Sequence, residues 1–336
     1  MPTYVVTGGA GFIGSGFVRL ALAARPDLKI IDIDLLTYAG NLENLEGVPQ
    51  DRHTFIRADI THAEAMRGAV PEDADALINF AAETHVDRSI LGPLAFVRTN
   101  VLGTQVLLDV AREKAAKRFV QVSTDEVYGS LGPVDATFTE DRPLAPSSPY
   151  AASKAGADLL VLAAHHTYGQ NVGITRCSNN YGPYQFPEKL IPLMISNAFE
   201  DKPLPVYGDG RQVRDWIHTD DHSRAILAVI EKGRPGRIYN IGARNERYNI
   251  DVVREILRQA GKPDSLIRHV TDRPGHDRRY GIDPTRIEQE LGWRPQVPFR
   301  EGLAQTLRWY REHQPWWQRI KDGSYREFYE KWYGGR

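Results

Sequence analysis

Cysteine is nearly missing. Cys177 is the one thiol among 336 residues, which excludes an intrachain disulfide and fits a reducing, cytoplasmic compartment. An excess of charge of either sign is missing too, the net being −1. That balance gives nucleic acid or an anionic membrane no electrostatic hold. No apolar run of membrane-spanning length is expected. The opening residues lack the basic segment of a secretory signal, since Val5-Val6-Thr7 runs straight into glycines. There is no internal repeat or low-complexity tract, and the ten histidines show no metal-ligand spacing, so no metal is expected. The remainder is 41% hydrophobic and 25% charged, enough chain for one large or two intimate domains.

Glycine is plentiful and placed with purpose. Thr3 to Thr7 reads as a strand that enters Gly8-Gly9-Ala10-Gly11-Phe12-Ile13-Gly14 and then a helical stretch through Ala24. Glycines between a strand and a helix permit a tight turn and bring backbone against a pyrophosphate seated on the helix N-terminus. The next strand, Lys29 to Ile33, ends at Asp34. A carboxylate there accepts both hydroxyls of an adenosine ribose and repels a 2′-phosphate, so NAD is expected rather than NADP. Strands at Thr54–Arg57, Ala76–Phe80 and Arg118–Val122 alternate with helical stretches, among them Pro93 to Ala115. Alternation of this kind means parallel βαβ units and an α/β, Rossmann-type doubly wound sheet.

Two polar clusters follow. Thr124-Asp125-Glu126 stands where the fifth strand ends, and ligands of open α/β sheets bind outside the carboxyl ends of the strands. Past a strand end, neighbouring carboxyls are free to converge on one small ligand. By itself the stretch equally reads as a polar turn. Tyr150 and Lys154 open a helix running to about Tyr168, four residues apart and so on one face. A nearby ammonium is expected to lower the phenol's pKa and equip it to take a proton from an alcohol.

Together these residues resemble the extended short-chain dehydrogenase/reductase family. Within it the chain looks like the nucleotide-diphosphate-sugar 4,6-dehydratases, most of all those acting on dTDP-glucose. The resemblance spans nearly the whole chain, through Gly8–Gly14, Thr37–Asn41, Ala81–Ser89, Thr124–Gly129, Tyr150 with Lys154, Cys177–Pro183, Pro187–Pro192, Arg214–Trp216 and Asp272–Asp277. The segment between Gly129 and Thr139 is shorter than in some relatives. The resemblance implies that Tyr150, helped by Lys154 and Thr124, deprotonates the sugar C4 hydroxyl while NAD takes the C4 hydride. Glu126 would then remove the C5 proton and a protonated Asp125 would release the C6 hydroxyl as water. Cofactor contacts are expected from Gly8, Gly11, Phe12, Ile13, Gly14, Asp34, Leu35, Thr37, Asp59, Ile60, Phe80, Ala81, Ala82, Thr84, Thr99, Tyr150, Lys154 and Asn180. Substrate contacts are expected from His85, Thr124, Asn179, Lys189, Leu190, Pro205, Val206, Tyr207, Arg214, Asn249, Arg273 and His276.

Residues 1–177, with part of 215–246 returning, are expected to form the NAD-binding domain, and 178–336 mainly the nucleotide-sugar domain. Cys177 reads as a small buried residue, Arg278-Arg279 as solvated charge, and Trp309-Tyr310 and Trp316-Trp317 as packing. The helices carrying Val106, Leu107 and Val110, and Leu159, Leu160 and Leu162, are apolar over a wide arc. The resemblance implies a homodimer through these helices. Other sugar-nucleotide activities, such as UDP-glucose dehydration, 4-epimerisation or decarboxylation, remain open at this point. So does a non-enzymatic NAD-binding role on the same fold.

Overall fold

The first strand and its glycine turn set the layout. In the computed structural model, which describes residues 1–272 and 275–322, β1 (Thr3–Thr7) leads to α1 (Phe12–Ala24), and β2 (Lys29–Asp34), β3 (His53–Arg57), α2 (Ala63–Ala69) and β4 (Ala76–Asn79) follow. Next come α3 (Val86–Leu91), α4 (Pro93–Phe96), α5 (Gly103–Glu113), β5 (Phe119–Thr124), α6 (Pro149–Tyr168) and β6 (Val172–Cys177). After β7 (Asn179–Tyr181), α7 (Leu190–Phe199), β8 (Leu204–Tyr207) and β9 (Val213–His218), α8 (Thr219–Lys232) and β10 (Arg237–Ile241) return to the first region. The chain closes with β11 (Glu246–Tyr248), α9 (Asn249–Ala260), β12 (Ile267–Val270), α10 (Thr285–Leu291), α11 (Phe299–Glu312) and α12 (Gln314–Asp322).

Seven strands form one sheet in the order β10-β6-β5-β4-β1-β2-β3, every neighbouring pair parallel. Its central strands β1, β4, β5 and β6 are buried on both faces, which is why Val5, Val6, Leu77, Ile78 and Val120 form continuous apolar runs rather than alternating ones. One face packs on α1 and α8, the other on α2, α5 and α6. Strand order reverses between β1 and β4, and there a polar ladder crosses the sheet. Thr7 Oγ1 donates to Asn79 Oδ1 at 2.7 Å, and Asn79 Nδ2 donates to Gln121 Oε1 at 2.9 Å.

The later residues build smaller sheets, β11-β9-β7 and β12-β8, around a second apolar core fed by α7, α9, α11 and α12. Trp309, Tyr310, Trp316 and Trp317 pack in or against this core. The returning segment is narrower than 215–246: β9 pairs with β7 and β11, and only α8 and β10 join the large sheet.

The fifth strand ends at Thr124, as expected, so Asp125 begins a 3-10 turn, Asp125–Tyr128, directly at the strand end. Two other expectations are corrected. The run Pro93–Glu113 is continuous through a π-helical stretch at Val97–Leu102, and by length and composition it is long and apolar enough to cross a membrane, contrary to the expectation of no such run. Its apolar residues fall on one side that packs on the sheet and another that is exposed. Leu107 and Val110 are buried toward the sheet, while Leu91, Leu94, Val97 and Leu102 are exposed, as is Leu159 on α6. Arg278 and Arg279 are also paired rather than merely solvated, with Asp209 and Glu246.

Candidate active site

Backbone geometry shapes one end of the site. Gly8 has φ +76°, and a Cβ there would lie 2.6 Å from the Ala81 amide nitrogen. A Cβ on Gly14 would collide with the Gly8 carbonyl oxygen. A Cβ on Gly11 would meet little but that same oxygen, at 3.3 Å, so the strand–helix turn is bare on that side. Behind it Gly9 N donates to Asp32 Oδ1 (3.0 Å), and Ala10 N donates to Asp34 Oδ2 (3.1 Å). Asp34 Oδ1 accepts from Leu36 N at 2.7 Å, so the carboxylate is held in place while each oxygen keeps a further lone pair. Burial, with Asp32 nearby, raises the Asp34 pKa.

A cleft of about 390 Å³ runs from this turn past the ends of β4, β5 and β6. Every residue expected to touch the cofactor lines it, as do Thr124, Asp125 and Glu126. A bare glycine cradle at a helix N-terminus, a carboxylate at the end of β2, and small Ala81 and Ala82 beside them fit the pyrophosphate and ribose of a dinucleotide.

The chemistry-bearing side chains sit at the inner end. Thr124 Oγ1 accepts from Glu126 N at 3.2 Å and donates to Asp125 Oδ1 at 3.4 Å, which fixes the turn. Asp125 is 2% exposed. Burial, then the charges of Glu126 and Asp215, push its pKa well above the usual carboxylate range, with Arg214 and Thr124 pulling the other way. This direction favours the protonated carboxyl. Ser148 caps α6 by accepting from Ala151 N at 3.1 Å, with Pro149 in the first turn, and this presents Tyr150 and Lys154 to the cleft.

The Tyr150 phenol departs from expectation. Burial, then Glu126 and Cys177, raise its pKa well above 10.0, while a hydrogen bond with Thr124 opposes this. Any lowering by Lys154 is outweighed: the ammonium is itself buried, its pKa lowered by desolvation, and it donates to Val122 O at 2.7 Å. Cys177, beside them, donates to Ser123 O, and burial pushes its thiol up to about 12.

Substrate candidates divide into two groups. Asn179, Lys189 and Leu190 line the cleft, and Lys189 Nζ donates to Thr84 O at 3.0 Å. His85, Pro205, Val206, Tyr207, Arg214, Asn249 and His276 stand outside its lining. Tyr207 OH donates to Asp87 Oδ2 (3.2 Å), its ring meets His276 edge-on, and Asp272 accepts from Gln212 Nε2 while pairing with His276. Asn249 joins this group because its N donates to Gln212 O at 2.9 Å, and its buried Oδ1 has no hydrogen-bond partner among the described residues. The Arg214 guanidinium lies over the Tyr280 ring, 4.1 Å from its centroid, with its charge acting on Asp125. Val206 is buried in the second core, which leaves its backbone for recognition. Arg273 lies outside the described residues.

Several site residues escape the sequence reading. Asn100, in the π-helical stretch, clamps the peptide of Glu83 through both amide atoms (2.9 and 3.0 Å) and donates to Ser153 Oγ, which bonds Tyr150 O. His222 is wholly buried, and its Nδ1 lies 2.9 Å from Asn180 Oδ1. Glu188 lines the cleft, accepts from Tyr38 OH at 3.4 Å and lies 3.7 Å from both His85 and Arg88. Burial raises it to about 7. Only Glu188 had a sequence signal, standing next to Lys189.

The fold and the cleft define a dinucleotide-dependent α/β enzyme. Comparison with known proteins narrows the class. The family described as GDP-mannose 4,6 dehydratase matches residues 5–306. The dTDP-glucose 4,6-dehydratase of Xanthomonas campestris pv. campestris is 51% identical over 97% of this chain and 98% of the relative. Among solved structures, the dTDP-glucose 4,6-dehydratase DesIV of Streptomyces venezuelae, with NAD and dTDP bound, has a TM-score of 0.92 and 52% identity, covering 95% of this chain and 100% of that one. A UDP-glucose 4-epimerase of Thermotoga maritima, with UDP-glucose, has a TM-score of 0.85 and 28% identity, covering 93% of this chain and 99% of that one. The chain belongs to the GDP-mannose 4,6 dehydratase family.

Proposed function

We propose that this chain catalyses the NAD-dependent 4,6-dehydration of dTDP-glucose, giving a 4-keto-6-deoxy sugar nucleotide. The observation that carries the reading is the pair Asp125 and Glu126, on one turn in the same cleft as Tyr150 and Lys154, with burial and the charge of Glu126 raising the Asp125 pKa. Epimerases share the fold, so the fold does not discriminate. An acid beside a base does, because elimination across bonded C5 and C6 needs neighbouring groups of opposite protonation.

Gly8, Gly11, Gly14, Asp34 and the neighbouring cleft residues would hold NAD, with Asn180 and Lys154 at its inner end. Bound NAD supplies a hydride acceptor at C4, later a hydride donor at C6, and a cationic ring. Tyr150, hydrogen-bonded to Thr124, would take the C4 hydroxyl proton as the C4–H bond breaks, the cationic ring of bound NAD offsetting the burial that raises the phenol's pKa. The C4 ketone acidifies C5–H, and Glu126 takes that proton. Asp125 gives its proton to the C6 oxygen, the C6–O bond breaks, and water leaves. A proton would then return to C5 from Glu126 as C6 is reduced, and the proton taken by Tyr150 would return to Asp125 through solvent. The sum is loss of one water, with no net oxidation. Arg214, Lys189, Asn249, Tyr207 and His276 serve the nucleotide and diphosphate; Arg suits bidentate phosphate contact.

The exposed apolar strip of Leu91, Leu94, Val97, Leu102 and Leu159 supports a homodimer joined through these helices. The single cysteine supports a reducing, cytoplasmic setting. The division into a cofactor domain and a sugar-nucleotide domain follows the two apolar cores. Incubation with dTDP-glucose should yield the 4-keto-6-deoxy product without added reductant. Formation of the galactose isomer would favour an epimerase, and binding without turnover would defeat the enzymatic reading. Thymine and uracil differ by one methyl, worth about 1–3 kcal/mol of discrimination, so kcat/KM for dTDP-glucose should exceed that for UDP-glucose.

A further inference from the structure

Arg176 and Asp158 form an ion pair that solvent does not reach. Arg176 Nε donates to Asp158 Oδ2 at 2.8 Å, with side-chain exposures of 2% and 0%. The same guanidinium lies over the Tyr128 ring, 4.8 Å from its centroid. Tyr128 in turn stacks on Phe138, with centroids 5.0 Å apart, and donates to Asn240 Oδ1 at 2.8 Å. Burying two ions costs several kcal/mol each, and apolar side chains of equal volume often serve stability as well or better. Stability therefore gives no reason for charge at this point.

Position gives one. Tyr128 closes the 3-10 turn that begins with Asp125 and Glu126. Asp158 lies on α6 one turn beyond Lys154 and two beyond Tyr150, and its charge acts on Lys154. Arg176, from β6 between them, holds both elements with one rigid group. A planar guanidinium carries several directed donors, so one group can pair with Asp158 and lie over Tyr128 at once; an ammonium is a point charge on a flexible stem.

We propose that Arg176, paired with Asp158, is a positioning residue. It fixes the acid–base turn relative to the helix carrying Tyr150 and Lys154, so that C4 oxidation and C5–C6 elimination act on one sugar pose. The assignment rests on the dehydratase reading. A displacement of about 1 Å between catalytic groups and substrate costs about 10²-fold in rate, and loss of the clamp moves one catalytic element without removing any group that touches substrate.

The test compares wild type with Arg176→Lys, which keeps the charge, and with the double variant Arg176→Met/Asp158→Leu, which replaces the pair by apolar side chains. With dTDP-glucose, Arg176→Lys should oxidise C4 at close to the wild-type rate yet eliminate water about ten- to a hundredfold more slowly. Reduced nicotinamide should then build up on the enzyme, quenched samples should hold a 4-keto-glucose nucleotide, and solvent deuterium should enter C5 more slowly. The double variant should melt at or above the wild-type temperature and show the same build-up. Turnover of Arg176→Lys at the wild-type rate overturns the proposal. So does a fall in which oxidation and elimination slow by one common factor, or wild-type turnover by the double variant. Absence of product from wild type defeats the dehydratase reading and this proposal with it.

Discussion

At the dinucleotide end of the cleft, added methyls at Gly8 and Gly14 run into backbone: the Ala81 amide in one case and the Gly8 carbonyl in the other. Beyond the cleft lining, in the group proposed to hold the sugar nucleotide, the ordering is done by side chains. Tyr207 rests on Asp87, His276 pairs with Asp272, and Arg214 lies over Tyr280. Backbone cannot yield without moving a strand. Side chains have rotamers and can be exchanged one at a time. One end should therefore respond to substitution by total loss, and the other by graded loss.

Gly14→Ala gives the sharpest break. The added methyl lies against a carbonyl in the turn between β1 and α1, so the purified variant should carry no NAD, with dinucleotide binding too weak for calorimetry. Retention of wild-type affinity would erase the contrast between the two ends. Next come the chemical groups. Tyr150→Phe should abolish C4 oxidation, so that no reduced nicotinamide appears. Asp125→Asn should permit oxidation and block elimination, so that reduced nicotinamide accumulates. Each loss should be about 10²–10⁴-fold, as for general acid–base groups, read by stopped-flow absorbance. On the proposed reading Asp125 acts protonated, and its pKa is raised, so kcat should fall as pH rises through that elevated value.

Arg214 belongs to the graded end. Arg214→Leu should raise KM about 10–100-fold, the scale of one or two charged hydrogen bonds, with kcat little changed. Because Arg214 pulls the Asp125 pKa down, its removal should also move the alkaline fall in kcat to higher pH. A loss confined to kcat would take Arg214 out of the diphosphate site. Glu188→Gln should have the smallest effect. Burial raises Glu188 to about 7 from 4.5, so the folded state holds its proton more tightly than the unfolded. Its contribution is fully present below about pH 4.5 and is lost as pH rises through 7, up to about 3 kcal/mol. Glutamine has no such loss. The variant should match wild type in thermal midpoint near pH 4.5 and exceed it by a few degrees at pH 8.

Legibility follows the same division. The glycines of the first turn, Asp34, the Asp125–Glu126 pair and the Tyr150–Lys154 spacing all carry local signals, and each stands in the cleft. Asn100 carries none: an asparagine in the middle of an apolar helix gives no hint that it grips the Glu83 peptide. His222 and Arg176 are equally silent, because their partners lie 42 and 18 residues away. The exposed strip on Pro93–Glu113 shows how periodicity alone misleads, since a wide apolar arc reads the same whether it faces a sheet, a membrane or another subunit.

The order of strands and helices, the dinucleotide turn and the identity of the reacting groups are determined along the chain, because backbone conformation and i, i+4 spacing are short-range properties. The protonation of those groups was decided only in three dimensions. Sequence spacing puts Lys154 near Tyr150 and argues for a lowered phenol, yet the folded pocket raises it, since desolvation and the carboxyls from the end of β5 outweigh a lysine whose ammonium is turned to Val122 O. Electrostatics in a buried site sums over every group within several ångströms, whatever its distance along the chain, and that sum exists only once the chain has closed.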